Sequence, residues 1–424
     1  MSRRSFYGLL STVALSSFGD AFGLLAMEWL VYGLTGSKLA MGTLALCSGI
    51  PELVLRLIGS PLSDRLPRGR LMAVLAATRL VAILLPLVAG MAGQLQLWHL
   101  FAAAALSGSC AALFMPTAMA LVPEVADPHK LMRYFAIIDG ARNTAALIGP
   151  ALAGAMTAAS GSLSALGING VCYTAAIIML LFLPKGDAAK KSQSAFVIRA
   201  YLRDIFEGFS FYKQFPAMLT IMVLVSISNL SSVAIWTMMV PYVREVLRRD
   251  AAAMGSLSTV TALGALAGLT IISLLPEIKQ RRFVMIGSLA VMGVCNGVLS
   301  LVHSLPIVIV ALFVTGAAGP FFSSLSSSLH GKLVPSHLQG RVNAIRFLIG
   351  GGLQPLGAFA GSVIAQHYGI QAMILGAGLL PVLSACAASF FSGLKALNGD
   401  LSAPMVSGAR CFQRVSSTQD ELSS

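Results

Sequence analysis

Apolar runs, each about the length of a membrane crossing, alternate with short polar breaks along nearly the whole chain. A helix needs about 20 mainly apolar residues to cross the hydrocarbon core. Twelve stretches meet that length: 7–34, 39–62, 71–92, 98–122, 132–158, 161–183, 216–240, 252–275, 283–302, 306–330, 341–366 and 370–394. Pro184, Pro276, Pro306 and Pro335 mark turns between them. The long polar stretch between the sixth and seventh runs, 185–215, divides the series evenly. The pattern predicts an all-α membrane protein of twelve transmembrane helices in two six-helix bundles, 1–184 and 216–395. The polar, Ser-rich tail 396–424 is expected to be disordered.

The halves echo each other. Val122-Pro123, Arg133 and Gly149-Pro150 to Gly154 have counterparts in Val334-Pro335, Arg341 and Pro355 to Gly361. Pro276–Arg282 looks like a degraded copy of Asp64–Arg70. Paired six-span repeats with a linker between them are a transporter signature. Within the linker, Ile198, Tyr201, Leu202, Ile205, Phe206, Phe209 and Tyr212 recur at helical spacing. That spacing predicts an amphipathic helix at the inner membrane surface, tethering the halves.

Composition agrees with a membrane protein. The chain of 424 residues is 56% hydrophobic and 11% charged, where soluble domains carry about 25% charge. The net charge of +13 does not indicate nucleic acid, because the basic residues sit in short loops with no interleaved aromatics. Lys38, Arg244, Arg248 and Arg249 fall on one side of the predicted membrane and Arg56, Arg79, Arg142 and Arg346 inside spans; the remainder of the 29 Lys and Arg fall on the side of the termini. The bias predicts that both termini are cytoplasmic. The six cysteines include no CxxC pair, so neither a disulfide framework nor a metal site is expected. No nucleotide-binding loop, HExxH or GxSxG occurs, which argues against an enzyme.

Eight ionisable residues fall within spans: Asp20, Glu28, Glu52, Asp139, Arg56, Arg79, Arg142 and Arg346. Each costs about 2.5–3.5 kcal/mol at a span centre on insertion scales and needs a reason to be there. Asp20, near mid-depth of the first span, is the leading candidate for a proton-carrying acid. Glu28, slightly over two turns further on, would bind a cationic substrate or admit protons. Glu52 and Arg56 are placed to pair on one helix face. Asp139 and Arg142 would pair or form a gate with Arg79 or Asp64. Arg346 has no local acid and needs a partner on another helix, the interface or substrate. Asn229, Trp236, Asn296 and Gln354 are expected to add polar contacts in a central cavity. His330 and His337 are expected in loops or at the interface.

The loop Ser60-x-x-x-Asp64-Arg65-Leu66-Pro67-Arg68-Gly69-Arg70 resembles the G-x-x-x-D-R-x-G-R-R signature of the major facilitator superfamily, with Ser60 and Pro67 in place of two glycines. Gly149-Pro150-Ala151-Leu152-Ala153-Gly154 is similar to the superfamily's antiporter motif. SFGDAF (Ser17–Phe22), followed by Glu28-Trp29-Leu30-Val31-Tyr32, resembles the subgroup of macrolide-efflux and catecholate-siderophore exporters. The resemblance implies a secondary transporter in a bacterial-type plasma membrane, working by alternating access. It would export a drug, macrolide-like compound or siderophore as a monomer in the lipid bilayer. The proton gradient would drive it, with no cofactor. It implies that Asp64 touches the N-terminal end of span eleven near Gly340-Arg341 in the outward-open state. Arg65, Arg68 and Arg70 would clamp spans and meet anionic lipid, completing a conformational latch. Gly149, Pro150 and Gly154 would bend or closely pack helices during gating. A facilitator, importer or lipid-moving member of the same fold is the alternative.

Overall fold

The computed structural model describes residues 3–58, 66–181, 209–213, 215–335 and 338–398. Ser60, Asp64, Arg65, His337, most of the linker and the tail from 399 onward lie outside the described residues. The principal helices are α1 (Arg3–Thr35), α2 (Lys38–Ile58), α3 (Arg68–Met91), α4 (Leu97–Val125), α5 (Leu131–Ser160) and α6 (Ser162–Leu181). There follow α7 (Pro216–Thr237), α8 (Ala251–Leu274), α9 (Arg281–Val298), α10 (Leu305–Leu333), α11 (Gln339–Gly351), α12 (Gln354–Tyr368) and α13 (Ile370–Phe390). Among the described residues ten segments are long and apolar enough to cross a membrane, α11 and α12 together forming one of them. The predicted fifth and ninth spans are also helices, α5 and α9. The first carries Arg133, Asp139 and Arg142 in its opening turns; the second is 18 residues long and opens on Arg281-Arg282.

Two predicted spans depart from a single straight helix. The eleventh is split at Gly352-Leu353. Gly350–Gly352 offer no side chains to hold the turn, and Pro355 cannot donate to the carbonyl four residues back. The seventh runs past its predicted end through a turn at Met239–Pro241 and a π-helical turn, Tyr242–Val246. Pro241 removes a backbone donor there, and the wider turn carries Arg244 and Glu245 toward α1.

The chain reverses direction between successive spans, so every span has one end near the start of α1 (the near end) and one near its finish (the far end). The first half of the chain meets the second chiefly along two helix pairs, α5 with α8 and α2 with α12. Small residues permit the approach. A Cβ on Gly154 would overlap the Ala251 carbonyl oxygen, and one on Gly255 the Pro150 carbonyl oxygen. A Cβ on Gly42 would overlap the Ser362 side chain, and Gly49 lies against Pro355.

The apolar cores are distributed unevenly. At the far end one core joins residues of both halves, including Val31, Tyr32 and Met41 with Met238, Tyr242 and Leu257. At the near end each half has its own core. Phe6, Leu71, Leu113 and Leu180 lie in one; Met218, Leu289, Leu325 and Val342 lie in the other. Burial of apolar surface is the main attraction available outside lipid, so the halves are held together at the far end, whereas among the described residues no apolar core joins them at the near end. Outward-facing Val74, Val81, Val171, Val310 and Leu383 are exposed and suit lipid contact.

The described part of the linker, 209–213, is helical. It buries Phe211 and Tyr212 against the near-end core of the second half, while Phe209 remains exposed. His330 is not in a loop or at the interface, as its position near a predicted span end suggested. It is buried within α10, with Nε2 3.0 Å from the Tyr212 hydroxyl and Nδ1 2.7 Å from the Ser326 carbonyl. A polar ring inside a helix bundle requires such partners.

Candidate functional site

A cavity of about 500 Å³ lies between the halves, walled by α1 to α4, α6, α7 and the α11–α12 break. Asp20, Glu28, Glu52, Arg56 and Arg79 all line it, together with Asn169, Tyr173 and Gln354. Its walls run from Glu28 on the far side to Arg56 near the end of α2.

Three helices build its central polar group. Arg79 of α3 is 4% exposed and donates through Nη1 to both Asp20 carboxylate oxygens, at 3.1 and 3.3 Å. The same nitrogen donates to the Tyr173 hydroxyl at 2.9 Å, and that hydroxyl donates to Asp20 Oδ1. The guanidinium also lies over the Phe114 and Tyr173 rings, 5.4 and 5.6 Å from their centroids. Asp20 keeps about half of its side chain open to the cavity (49%), whereas Arg79 does not. The arrangement buries a cation behind a carboxylate that remains accessible.

Glu28 lines the same cavity and has no ion pair among the described residues, whereas Asp20 has Arg79 and Glu52 has Arg56 at 2.5 Å, one turn along α2. Asp139 and Arg142 pair with each other on α5 at 3.3 Å, both largely exposed. The structure does not bring them to Arg79. Arg346, on α11, donates to the Ser327 hydroxyl at 2.7 Å, away from the Asp20 group. Of the four neutral candidates only Gln354 lines the cavity. Asn229 donates instead to the Gly350 carbonyl at 2.6 Å, Asn296 receives Thr315 at 3.4 Å, and Trp236 packs against the shared apolar core. Gly149 packs on Ala21 of α1, while Pro150 and Gly154 lie in the α5–α8 crossing.

At the far end, charged side chains reinforce the shared core. Glu245 receives the Tyr32 hydroxyl and pairs with Lys38 at 3.0 Å. Arg244 lies over Trp29 and Tyr32, 5.1 and 5.8 Å from the ring centroids. The Lys38 amide donates to Gln366 at 3.1 Å. Each contact joins one half of the chain to the other.

The near end carries ion pairs at matching places in the two halves. Arg68, opening α3, donates to Glu124 and the Ala120 carbonyl of α4 at 2.6 and 2.7 Å. Glu277, just before α9, pairs with Lys332 at the end of α10 and with Arg281 at 2.8 Å. Arg70 is exposed. Hydrogen bonds from Lys332 and Arg281 hold the Glu277 carboxyl below its ordinary value of 4.5. A depressed carboxyl stabilises the fold above its ordinary value and loses that contribution as pH falls through the lowered one. Melting curves of Glu277→Gln and the parent protein should therefore differ at neutral pH and converge on acidification below 4.5.

Tyr173, Glu245 and Tyr32 were missed from the sequence. A hydroxyl inside a span needs a partner, and that signal marks Tyr173; nothing local marks Glu245 as a bridge between halves.

A cavity between two helical halves, closed at one end, is the architecture of a membrane transporter. The chain belongs to the major facilitator superfamily, in the transmembrane secretion effector family, whose profile matches residues 1–408. It is similar to the multidrug efflux pump Tap of Mycolicibacterium fortuitum, at 23% identity over 92% of this chain and 96% of that protein. The staphyloferrin A transporter of Staphylococcus aureus is 21% identical over 85% of this chain and 89% of its own length. Among solved structures, a bacterial homologue of the iron transporter ferroportin matches with a TM-score of 0.68 at 17% identity, covering 92% of this chain and all (100%) of that one. Family and fold are those of transporters, not enzymes, and imply a small-molecule substrate and a lipid bilayer.

Proposed function

We propose that the protein is a proton-coupled antiporter that exports an amphipathic small molecule across a bacterial-type plasma membrane. In this reading twelve spans form two six-helix bundles, 1–184 and 216–395, joined by the linker, and the protein works as a monomer with both termini cytoplasmic. The observation that carries the reading is the Asp20–Arg79–Tyr173 group: a carboxylate open to the cavity and backed by a buried cation. Protonating Asp20 would release its hold on Arg79, so a proton alters contacts between α1, α3 and α6. The Lys/Arg bias orients the near end to the cytoplasm, and the described form is then inward-facing. A relative named as a multidrug efflux pump supports export. Rocking of the halves would break the far-end contacts and close the near end.

A second reading, a facilitator or importer, is favoured by the same ion pair, because Asp20 has a full partner without any proton. Flux in proteoliposomes under imposed pH or Na⁺ gradients separates the two. The antiport reading expects substrate accumulation that collapses when the pH gradient is dissipated. Flux that follows only the substrate gradient sinks it.

A further inference from the structure

The far end is poor in Lys and Arg, with four of the 29, yet three of those four, Arg244, Arg248 and Arg249, fall within the six residues 244–249. Membrane topology does not call for a cationic cluster on the depleted face. The acids beside it are already engaged. Glu245 receives the Tyr32 hydroxyl and pairs with Lys38, and Asp250 caps α8 by accepting from the Ala253 amide at 3.1 Å. Arg244 lies over two aromatic rings. The Arg248 side chain has no hydrogen bond or ion pair among the described residues. Its backbone stands in the left-handed region, at φ 52°, which is uncommon for a residue other than Gly, Asn or Asp.

Arg248 lines a second cavity, of about 630 Å³, which shares no wall residue with the central one. Lys38 enters its wall from the first half of the chain; Glu245, Arg248, His303, Tyr368 and Gln371 enter from the second. All of these except Glu245 carry N–H or O–H donors. Lys38 and Arg248 against Glu245 leave a formal charge of +1. An unpaired guanidinium with an ammonium in the same wall suits a phosphate oxygen pair. The volume leaves room for more than a bare ion, so the anion can carry a larger alcohol. Tyr368 ends α12 and is 77% exposed, and tyrosines at span ends sit at the level of lipid headgroups. We propose that this far-end cavity binds a phosphate ester, with its anion held between Lys38 and Arg248.

The test uses the full chain in a maltoside detergent, which contains no phosphate. Two probes carry one headgroup: phosphatidylglycerol in mixed micelles, and glycerophosphoglycerol, its soluble deacylated form. A ligand of the native state raises the melting temperature saturably. At least one probe should do so, while diacylglycerol and glycerol, which lack the phosphate, should not. Tighter binding of the lipid assigns the site to a headgroup; equal or tighter binding of the deacylated compound assigns it to a soluble ester. Arg248→Asn, which tolerates the left-handed backbone, should raise the midpoint concentration by about 10-fold, the scale of losing a charged hydrogen bond. Arg248→Lys should stay within a few-fold of the parent. Arg249→Asn, next in sequence but outside the cavity wall, should match the parent. Size-exclusion profiles report folding, and Gln371→Glu, which sets a carboxylate in the wall, should weaken binding as much and carries the test should Arg248→Asn aggregate. No saturable effect of either probe on the parent, midpoints unchanged in Arg248→Asn and Gln371→Glu, or an equal loss in Arg249→Asn, which would mark diffuse surface charge, overturns the proposal.

Discussion

Asp20→Asn is expected to abolish the response of transport to a pH gradient and to lower stability as well. Asparagine has the shape of the carboxylate and can still accept from Arg79, so the helices need not move. It cannot carry a proton or balance a charge. Arg79 is 4% exposed, and a buried cation that loses its anion is destabilising by about 3–5 kcal/mol when both partners are deeply buried. Asp20 is half open to the cavity, so water or an ion takes up part of that cost, and about 1–3 kcal/mol is the expected loss. The double variant Asp20→Asn, Arg79→Gln removes both charges and should recover melting temperature without recovering coupling. Proteoliposome flux with and without a pH gradient, measured beside melting curves, checks both parts. Coupling that persists in Asp20→Asn takes the proton from Asp20; a double variant as unstable as the single one shows that the stability loss is not electrostatic.

Gly154→Val is expected to reduce transport by tens-fold and to bias the protein away from the form described here. Even a Cβ at this position overlaps the Ala251 carbonyl oxygen and approaches Gly255 within 3.0 Å. The obstacle is backbone on a facing helix, so no side-chain rotation removes it. Overpacking of this kind costs about 1–3 kcal/mol, enough to shift a two-state equilibrium by about 5- to 150-fold. Because α5 and α8 belong to different halves, the strain falls on the closed form and not on either half alone. Spin labels at Ser37 and Arg248, on opposite sides of the far-end contacts and with the native cysteines replaced, should move apart in Gly154→Val. An unchanged distance distribution together with unchanged flux refutes the assignment.

These two sites differ in how far the sequence could reveal them. Gly154 belongs to a recognisable motif, and Asp20 stands out as an acid in an apolar run. The Glu52–Arg56 and Asp139–Arg142 pairs are legible because three or four residues return a helix to the same face. The Asp20–Arg79 pair is not, since 59 residues and a whole helix separate its members. Arg79 gives no sign in the sequence of which acid it meets, since Asp139 is as open to it there as Asp20. Spans were legible from apolar length. The break in the eleventh was signalled by Gly350–Gly352 and Pro355, but a hydropathy window averages over it. Asn229 and Asn296 have the polarity expected of cavity residues, yet which way each faces depends on helix rotation, and both face neighbouring helices.

The single far-end core has a thermal consequence. Closing that end buries hydrocarbon from both halves, whereas the near-end surfaces that would meet in the opposite form carry Asp139, Arg142, Glu52 and Arg56. Exchanging one closure for the other therefore changes the amount of hydrated apolar surface, and the exchange carries a heat-capacity difference. Hydrophobic attraction weakens on cooling while ionic contacts do not depend on it. In the proposed alternating-access cycle the balance between the two forms would thus be set partly by temperature, with cold loosening the far end first.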